Sequence, residues 1–174
     1  MKNPGIQIVL LSQKNSGSQQ ARNTGTKAAR GEFIQYLDSD DLLYPGKIES
    51  QVGFLNENPT VDAVFGDWNK GSVANFESVQ AYGSGDLITQ FLGDRCIPTF
   101  SFLFRKCCVD RTGEWDIEIK RNQEIDYQVR AVIKKCKLRY QENQTGLWRI
   151  HDQDRITGST NIREIHFFYT KMIS

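Results

Sequence analysis

The front of the chain alternates between strand-like and helix-like segments, and this alternation most limits the folds open to it. Residues 6–12, IQIVLLS, form a short apolar run typical of a buried strand, and EFIQYL at 32–37 forms a second. Between them, residues 16–31 carry serine caps, alanines and a final glycine, which together predict a helix. Strand, helix and strand in succession predict an α/β fold with parallel strands, whose ligands bind beyond the carboxyl ends of strands.

Three carboxylates, Asp38, Asp40 and Asp41, directly follow the second predicted strand. Crowded like charges raise one another's pKa unless a cation neutralises them. Two interpretations are open: a solvated acidic turn, or a site for a hard cation such as Mg²⁺ or Mn²⁺. A calcium loop of the EF-hand type is excluded, because Leu42 and Leu43 stand where that loop needs a ligand and a glycine.

The composition limits which binding partners and which cellular compartment are compatible with the sequence. The 174 residues suit one domain, and a net charge of +1 offers no broad basic surface for nucleic acid. No apolar run is long enough to span a bilayer. Four cysteines without a CxxC pair and only two histidines argue against zinc, and they predict reduced thiols in the cytoplasm.

The remainder of the chain continues the alternation, with polar or glycine-containing breaks between apolar segments. The predicted elements are a helix after Pro45 that ends at NENP, the strand VDAVFGDW, a loop over 69–86, the short helix GDLITQFL, the strand TFSFLFRK, the helix NQEIDYQVRAVIKKC capped by Asn122, the strands KLRYQE and TGLWRIH, and the terminal helix NIREIHFFYTKMI.

The segment NSGSQQARNTGTKAARGEFIQYLDSDDLLYPGKIESQ resembles the nucleotide-sugar half of the family 2 glycosyltransferases, which have the GT-A fold. The family's blocks N-x-G, A-R-N-x-G, A-x-G-E-(Y/F)-I, L-D-S-D-D, P-x-K-(L/I) and Q occur in order and at suitable spacing. They fall on Asn15, Gly17, Ala21 to Asn23, Gly25, Ala29 to Ile34, Leu37 to Asp41, Pro45, Lys47, Ile48 and Gln51. PTFSFLFRK, GEWD, NQEIDYQVRAV and WRIHDQDRIT resemble the acceptor half more loosely.

The resemblance implies a GT-A-like fold: a mixed, mostly parallel sheet flanked by helices. The chain begins just before what resembles the family's third strand, so we expect the first two strands of the family to be lacking. We therefore expect a single truncated domain over 1–174, with a donor and metal half at 1–68 and an acceptor half at 69–174. On this interpretation the chain is either a fragment of a longer enzyme or a shortened protein without turnover.

The implied reaction is the inverting transfer of a sugar from a nucleoside diphosphate, a UDP-sugar, to a hydroxyl of a carbohydrate or lipid-linked acceptor, as in cell-surface polysaccharide biosynthesis. The resemblance makes Asp40 the ligand of Mn²⁺ or Mg²⁺ and Asp38 a ribose or metal-shell contact. It makes Glu124 the base that accepts the acceptor's proton. Asp126 is the rival base and an acceptor contact. The alternative for Glu124 is a carboxylate that only stabilises its helix start.

Five further residues have open assignments at this point. Arg22 and Asn23 either contact the donor phosphates or position the acidic loop, and Arg22 is otherwise an ordinary helix-surface residue. Arg149 and His151 either reach the diphosphate or the metal, or serve structure. Trp115 either stacks on an acceptor sugar or packs in the core.

Two other functions compete with transfer. One is a non-catalytic remnant that binds a carbohydrate or a protein, and the other is a metal-dependent hydrolase of a glycoside or phosphate. The apolar segment 6–12 also bears on assembly, because both faces of such a strand need cover. It pairs with EFIQYL in its own chain, pairs with the same strand of a second chain, or exchanges into a neighbour's sheet as a domain swap, and we expect a homodimer.

Overall fold

The computed structural model describes residues 6–82, 85–92 and 96–150. Its helices are α1 (Ser18–Ala28), α2 (Lys47–Glu57), α3 (Leu87–Leu92), α4 (Lys106–Thr112) and α5 (Gln123–Ile133). Its strands are β1 (Phe33–Ile34), β2 (Leu42–Leu43), β3 (Ala63–Gly71), β4 (Phe76–Val79), β5 (Phe102–Arg105) and β6 (Leu138–Arg149), with a 3₁₀ helix at Thr99–Ser101. No helix in these three ranges is both long and apolar enough to cross a membrane.

The strands form one mixed sheet in the order β1-β5-β3-β6-β2, with β4 beside β3. The mixed α/β architecture with flanking helices is therefore confirmed. The expectation of a mostly parallel sheet is wrong for the described strands, because among them only the β3–β6 pair is parallel. The parallel expectation came from the succession of strand, helix and strand at the front of the chain and from the family resemblance, and the first strand of that succession does not form.

The segment 6–12 is the clearest departure from the sequence prediction. It has no regular secondary structure, and Ile6 and Leu10 are 92% and 93% exposed. No strand of the described sheet pairs with it. An apolar composition favours a strand only where a neighbour satisfies its backbone N–H and C=O groups. The predicted buried strand is therefore wrong in this structure.

The core lies around β3 and β5, whose side chains are almost all buried. Phe102 stacks between Phe65 and Phe104, with ring centroids 4.9 and 5.2 Å away. Tyr127 of α5 packs edge-on to Phe104 at 5.9 Å. This aromatic layer joins the sheet to α5, the helix that carries the predicted base.

The predicted strands KLRYQE and TGLWRIH are one strand, β6, which runs parallel to β3 with two register shifts. Near its end β6 pairs with β2, where Leu43 lies opposite Gly146. A Cβ at Gly146 would meet the carbonyl oxygen of Leu42 at 2.2 Å, so this close approach needs glycine. Because β2 directly follows Asp41, the pairing fixes the position of the acidic motif.

Most of the other predicted elements form, and two regions differ from the prediction. The helices α1, α2, α3 and α5 and the strands β3 and β5 form where the sequence places them. The predicted loop at 69–86 instead contains the end of β3 and the hairpin strand β4, and α4 was not predicted. Asn122 does begin α5, although its side chain makes no capping hydrogen bond. The predicted terminal helix lies outside the described residues.

Candidate functional site

The acidic motif forms a turn between β1 and β2. The backbone N–H of Asp41 donates to the carbonyl oxygen of Asp38 at 3.2 Å and closes the turn. Arg149, at the end of β6, holds the turn from the side: its backbone N–H donates to Oδ1 of Asp41 at 3.2 Å, and its Nε donates to the carbonyl oxygen of Asp40. Arg149 therefore positions the motif in this structure, and its predicted contact with a diphosphate stays a prediction.

The three carboxylates of the turn differ in exposure. Asp40 is exposed, whereas Asp38 and Asp41 are half-buried. Burial raises the pKa of Asp41 to about 7. The hydrogen bond from the backbone of Arg149 opposes this rise, and the negative charges of Asp40 and Asp38 add to it. The half-buried Asp41 therefore holds its proton more tightly than an ordinary aspartate does.

Arg22, on α1, connects this turn to α5. Its Nη2 donates to both carboxylate oxygens of Asp38 at 2.8 Å and to Oε1 of Glu124 at 3.2 Å. Its Nη1 donates to the side chain of Gln123 at 3.1 Å. Its guanidinium carbon lies 4.5 Å from the centroid of the Trp115 ring. Arg22 is therefore a buried bridge, and its interpretation as a surface helix residue is wrong.

The two candidate bases on α5 lie in different environments. Glu124, in the first turn, shares Arg22 with Asp38 and therefore faces the acidic motif. Asp126 is buried and receives hydrogen bonds from Nε and Nη2 of Arg130 at 2.9 and 2.7 Å. This ion pair occupies one oxygen of Asp126 and ties it to its own helix, so Glu124 is the candidate base that the fold brings to the motif.

Asn23 and Trp115 brace the cluster from behind. The side-chain amide of Asn23 donates to the backbone oxygen of Trp115 at 2.9 Å, and its oxygen accepts from the backbone N–H of Trp115 at 2.8 Å. The Trp115 side chain is 3% exposed and stacks on Tyr127 with centroids 4.0 Å apart. The structure therefore supports the core-packing interpretation of Trp115 and gives Asn23 a structural role.

A cavity of about 250 Å³ lies between α1 and α4. Thr26, Tyr36 and Val109 line it together with Asn23 and Trp115. None of the carboxylates of the acidic motif lines this cavity, and Asp40 is exposed. This cavity is therefore separate from the acidic motif.

The carboxylates suit a divalent cation that a ligand helps to hold. The described residues contain no group of three or more acidic, cysteine or histidine side chains arranged to bind a metal, and the predicted ligand His151 lies outside them. Mg²⁺ commonly binds through one or two carboxylates together with substrate phosphates. The exposed Asp40 and the half-buried Asp38 fit that mode.

Gln123 is a member of the cluster that sequence reasoning missed. Its Oε1 accepts from Nη1 of Arg22 and, at 2.9 Å, from the hydroxyl of Ser18. It therefore holds the start of α5 against the start of α1. Its place beside Glu124 in a helix first turn is the only signal in the sequence, and that signal does not distinguish it from an ordinary surface glutamine.

The fold is that of a GT-A glycosyltransferase. Staphylococcus aureus TarS 1–349 in complex with UDP-GlcNAc matches it with a TM-score of 0.62 at 16% identity, over 87% of this chain and 44% of that chain. The same protein in complex with UDP matches with a TM-score of 0.57 at 17% identity, over 80% of this chain and 42% of that one.

The chain belongs to glycosyl transferase family 2, whose model matches residues 1–112. An uncharacterized glycosyltransferase of Methanocaldococcus jannaschii, MJ1057, is 21% identical over 94% of this chain and 57% of its own length. The minor teichoic acid biosynthesis protein GgaB of Bacillus subtilis is 43% identical over 51 residues, which are 29% of this chain and 6% of GgaB. The family resemblance is thus confirmed, and the chain spans little more than half the length of the Methanocaldococcus jannaschii relative.

Proposed function

We propose that this protein is an inverting glycosyltransferase that moves a sugar from a UDP-sugar donor to an acceptor hydroxyl. The observation that carries the proposal is the bridge of Arg22 between Asp38 of the acidic motif and Glu124 at the start of α5. It joins a site for the leaving diphosphate to a carboxylate base across α1. The similar structures of TarS are complexes with UDP-GlcNAc and with UDP, which supports a uridine nucleotide as the donor's carrier.

Asp40 and Asp38 would hold Mn²⁺ or Mg²⁺ together with the donor diphosphate, and His151 would join them from outside the described residues. Bound there, the cation supplies positive charge to the departing diphosphate, where negative charge develops in the transition state. The backbone and side chain of Arg149 keep the Asp40–Asp41 turn in place while that charge builds up.

Glu124 takes the proton of the acceptor hydroxyl as its oxygen attacks the anomeric carbon of the donor sugar. The new carbon–oxygen bond forms on the face opposite the departing diphosphate oxygen, which leaves with its electron pair. A single displacement of this kind inverts the anomeric configuration. Glu124 is partly exposed at the start of α5, as a base that meets an incoming acceptor must be.

The acceptor is proposed to be a carbohydrate or a lipid-linked carrier in cell-surface polysaccharide biosynthesis. The similarity to GgaB, whose name places it in teichoic acid biosynthesis, supports this class.

We place the reaction in the cytoplasm, since the four cysteines are free thiols in the structure. The division into a donor half at 1–68 and an acceptor half at 69–174 belongs to the same proposal.

We further propose that the protein forms a homodimer. The side chains of Ile6, Ile8, Val9, Leu10 and Leu11 are all exposed on one short segment. Contiguous exposed apolar surface of this kind favours association. The outer edge of β1 has no partner among the described strands, and it offers backbone groups to which such a segment can pair.

The test of catalysis uses UDP-GlcNAc and Mn²⁺ as probes and measures UDP release with water as the surrogate acceptor. We expect the unaltered protein to release UDP, and we expect the rate of UDP release to fall by about 100-fold or more in Glu124→Gln. Glu114→Gln is the matched control, because Glu114 is an exposed partner of Lys27 away from the motif. Equal release by Glu124→Gln would remove Glu124 as the base. UDP binding without any release would favour a non-catalytic binding module.

A further inference from the structure

Arg22 is held more firmly than the two carboxylates that it joins. Its side chain is 8% exposed and lies against Trp115, whereas the side chains of Asp38 and Glu124 are 40% and 21% exposed. The guanidinium is thus fixed by packing, and both carboxylates can be reached from solvent. An incoming ligand would therefore meet a fixed cation with exchangeable partners.

The two ion pairs of Arg22 are unequal. Nη2 donates to both oxygens of Asp38 at 2.8 Å but to a single oxygen of Glu124 at 3.2 Å. Shorter, charge-assisted bonds to both oxygens are stronger than one longer bond. The contact with Glu124 is therefore the one that an incoming anion would displace first.

The proposed diphosphate site lies next to this contact. Asp38, which holds Arg22, is two residues from Asp40, the proposed cation ligand. Within the described part of the chain, the buried Nε of Arg22 has no acceptor. Guanidinium groups bind phosphate oxygens readily because their N–H groups form a planar fork. Arg22 thus has the charge to bind a phosphate oxygen, and Nη2, which already donates to the two carboxylates, is the donor that such an oxygen would share.

We propose that Arg22 exchanges partners when the donor binds: a phosphate oxygen of the donor replaces Glu124 on the guanidinium, and the freed Glu124 turns to the acceptor hydroxyl. The inference rests on the proposed transferase function and assigns Arg22 as a positioning residue for the base. Before the donor arrives, the ion pair keeps the Glu124 carboxylate directed at Arg22. Donor binding then prepares the base, so the two events are coupled through one side chain.

A double-mutant cycle on ligand affinity tests the exchange without any need for turnover. The probes are UDP and inorganic pyrophosphate, each titrated calorimetrically in the presence of Mn²⁺. Glu124→Gln removes the competing charge, so we expect both probes to bind about three- to tenfold more tightly. Arg22→Gln should weaken both by about tenfold, which corresponds to the loss of one charged contact. In the Arg22→Gln background, Glu124→Gln should change affinity by less than about twofold.

The background comparison separates exchange from simple repulsion. If Glu124 only repels the anion, its replacement tightens binding equally with and without Arg22, and the proposal is overturned. Unchanged or weaker binding by Glu124→Gln overturns it as well, while leaving the transferase proposal intact. Failure of the unaltered protein to bind either probe overturns both proposals.

Two controls keep the experiment decisive. Glu114→Gln removes an exposed carboxylate elsewhere and should leave both affinities unchanged. If thermal melts show that Arg22→Gln does not fold, Arg22→Lys takes its place. Lysine keeps the charge, but its side chain is one bond shorter than that of arginine and its ammonium falls short of the Nη2 position that contacts both carboxylates. The tightening caused by Glu124→Gln should therefore shrink below about twofold in that background. Full tightening beside lysine would overturn the exchange.

Discussion

Asn23 on α1 and the backbone of Trp115 exchange two hydrogen bonds, of 2.9 and 2.8 Å, across 92 positions of sequence. The side-chain nitrogen and the side-chain oxygen of Asn23 therefore both form hydrogen bonds with Trp115. The pair fixes the indole that lies against Arg22, and Arg22 in turn holds Asp38 and Glu124. A buried amide far from any proposed substrate thus supports the geometry of the whole cluster.

Asn23→Ala should lower the free energy of unfolding by about 2 kcal/mol or more. The substitution leaves the buried backbone N–H and C=O of Trp115 without their partner, and each unsatisfied buried group costs about 1–3 kcal/mol. Chemical denaturation measures the loss. Lys27→Ala, on the same helix, is the matched control and should stay within about 0.5 kcal/mol, because the Lys27–Glu114 pair is exposed. Equal stabilities of the two variants would refute the bracing role.

Gly146→Ala should destabilise the protein and displace the acidic turn. A Cβ at this position would meet the Leu42 carbonyl oxygen at 2.2 Å and the Phe100 ring at 2.8 Å, so β2 must move away from β6. Thermal melts in the presence and absence of Mn²⁺ and UDP should show a lower melting temperature and a smaller ligand shift.

Gly25→Ala is the matched control for that substitution. Gly25 lies within α1, and a Cβ there meets nothing within 4 Å. Alanine should therefore stabilise α1 by about 0.5–1 kcal/mol. A Gly146→Ala protein as stable as the unaltered chain would contradict the tight approach of β6 to β2.

Lys47 predicts a specific pH dependence of stability. It is buried, and its Nζ donates to the carbonyl oxygen of Phe102 at 3.0 Å and to the side chain of Gln35. Burial lowers the pKa of Lys47 from 10.5 to about 7, so between these values the unfolded chain binds more protons than the folded one. Stability contributed by this group therefore rises with pH from about 7 toward 10, with a slope of up to about 1.4 kcal/mol per pH unit.

The measurement compares Lys47→Met with the unaltered protein by chemical denaturation at pH 7, 8 and 9. The unaltered protein should gain stability relative to Lys47→Met as the pH rises. Lys14→Met, at an exposed position, should give a pH profile parallel to that of the unaltered protein. Parallel profiles for Lys47→Met and the unaltered chain would show that Lys47 keeps its proton in the fold.

The exposed apolar segment at 6–11 should make the protein self-associate. Replacing Ile8 and Leu10 by serine removes two of its most exposed apolar side chains and should shift the species toward monomer. Light scattering over a dilution series measures the distribution. Val73→Ser, at another exposed apolar position, is the control and should leave the distribution unchanged. A clean monomer of the unaltered protein at all concentrations would rule out the proposed dimer.

The sequence predicts α1, α2, α3, α5 and the acidic turn because these depend on local signals. Alanine-rich periodicity, helix stops and the LDSDD motif are all readable within a short window. The predictions of a strand at 6–12 and of a mostly parallel sheet were wrong for a different reason. A strand forms only when another strand pairs with it, and no local sequence pattern identifies the pairing strand. The family motif includes Arg22, but only the fold shows that its side chain contacts both Asp38, 16 positions away, and Glu124, 102 positions away.

We propose above all that the acidic turn is a working site for a divalent cation and a diphosphate. Thermal melts of the unaltered protein and Asp40→Ala, with and without Mn²⁺ and UDP, test it most directly, with Asp110→Ala as a control at an exposed ion pair with Lys106. We predict that Mn²⁺ and UDP together raise the melting temperature of the unaltered protein and of Asp110→Ala, because a ligand that binds only the folded state stabilises it. We predict no shift for Asp40→Ala. Coincident melts of the unaltered protein with and without the ligands, or an equal shift in Asp40→Ala, would contradict the claim.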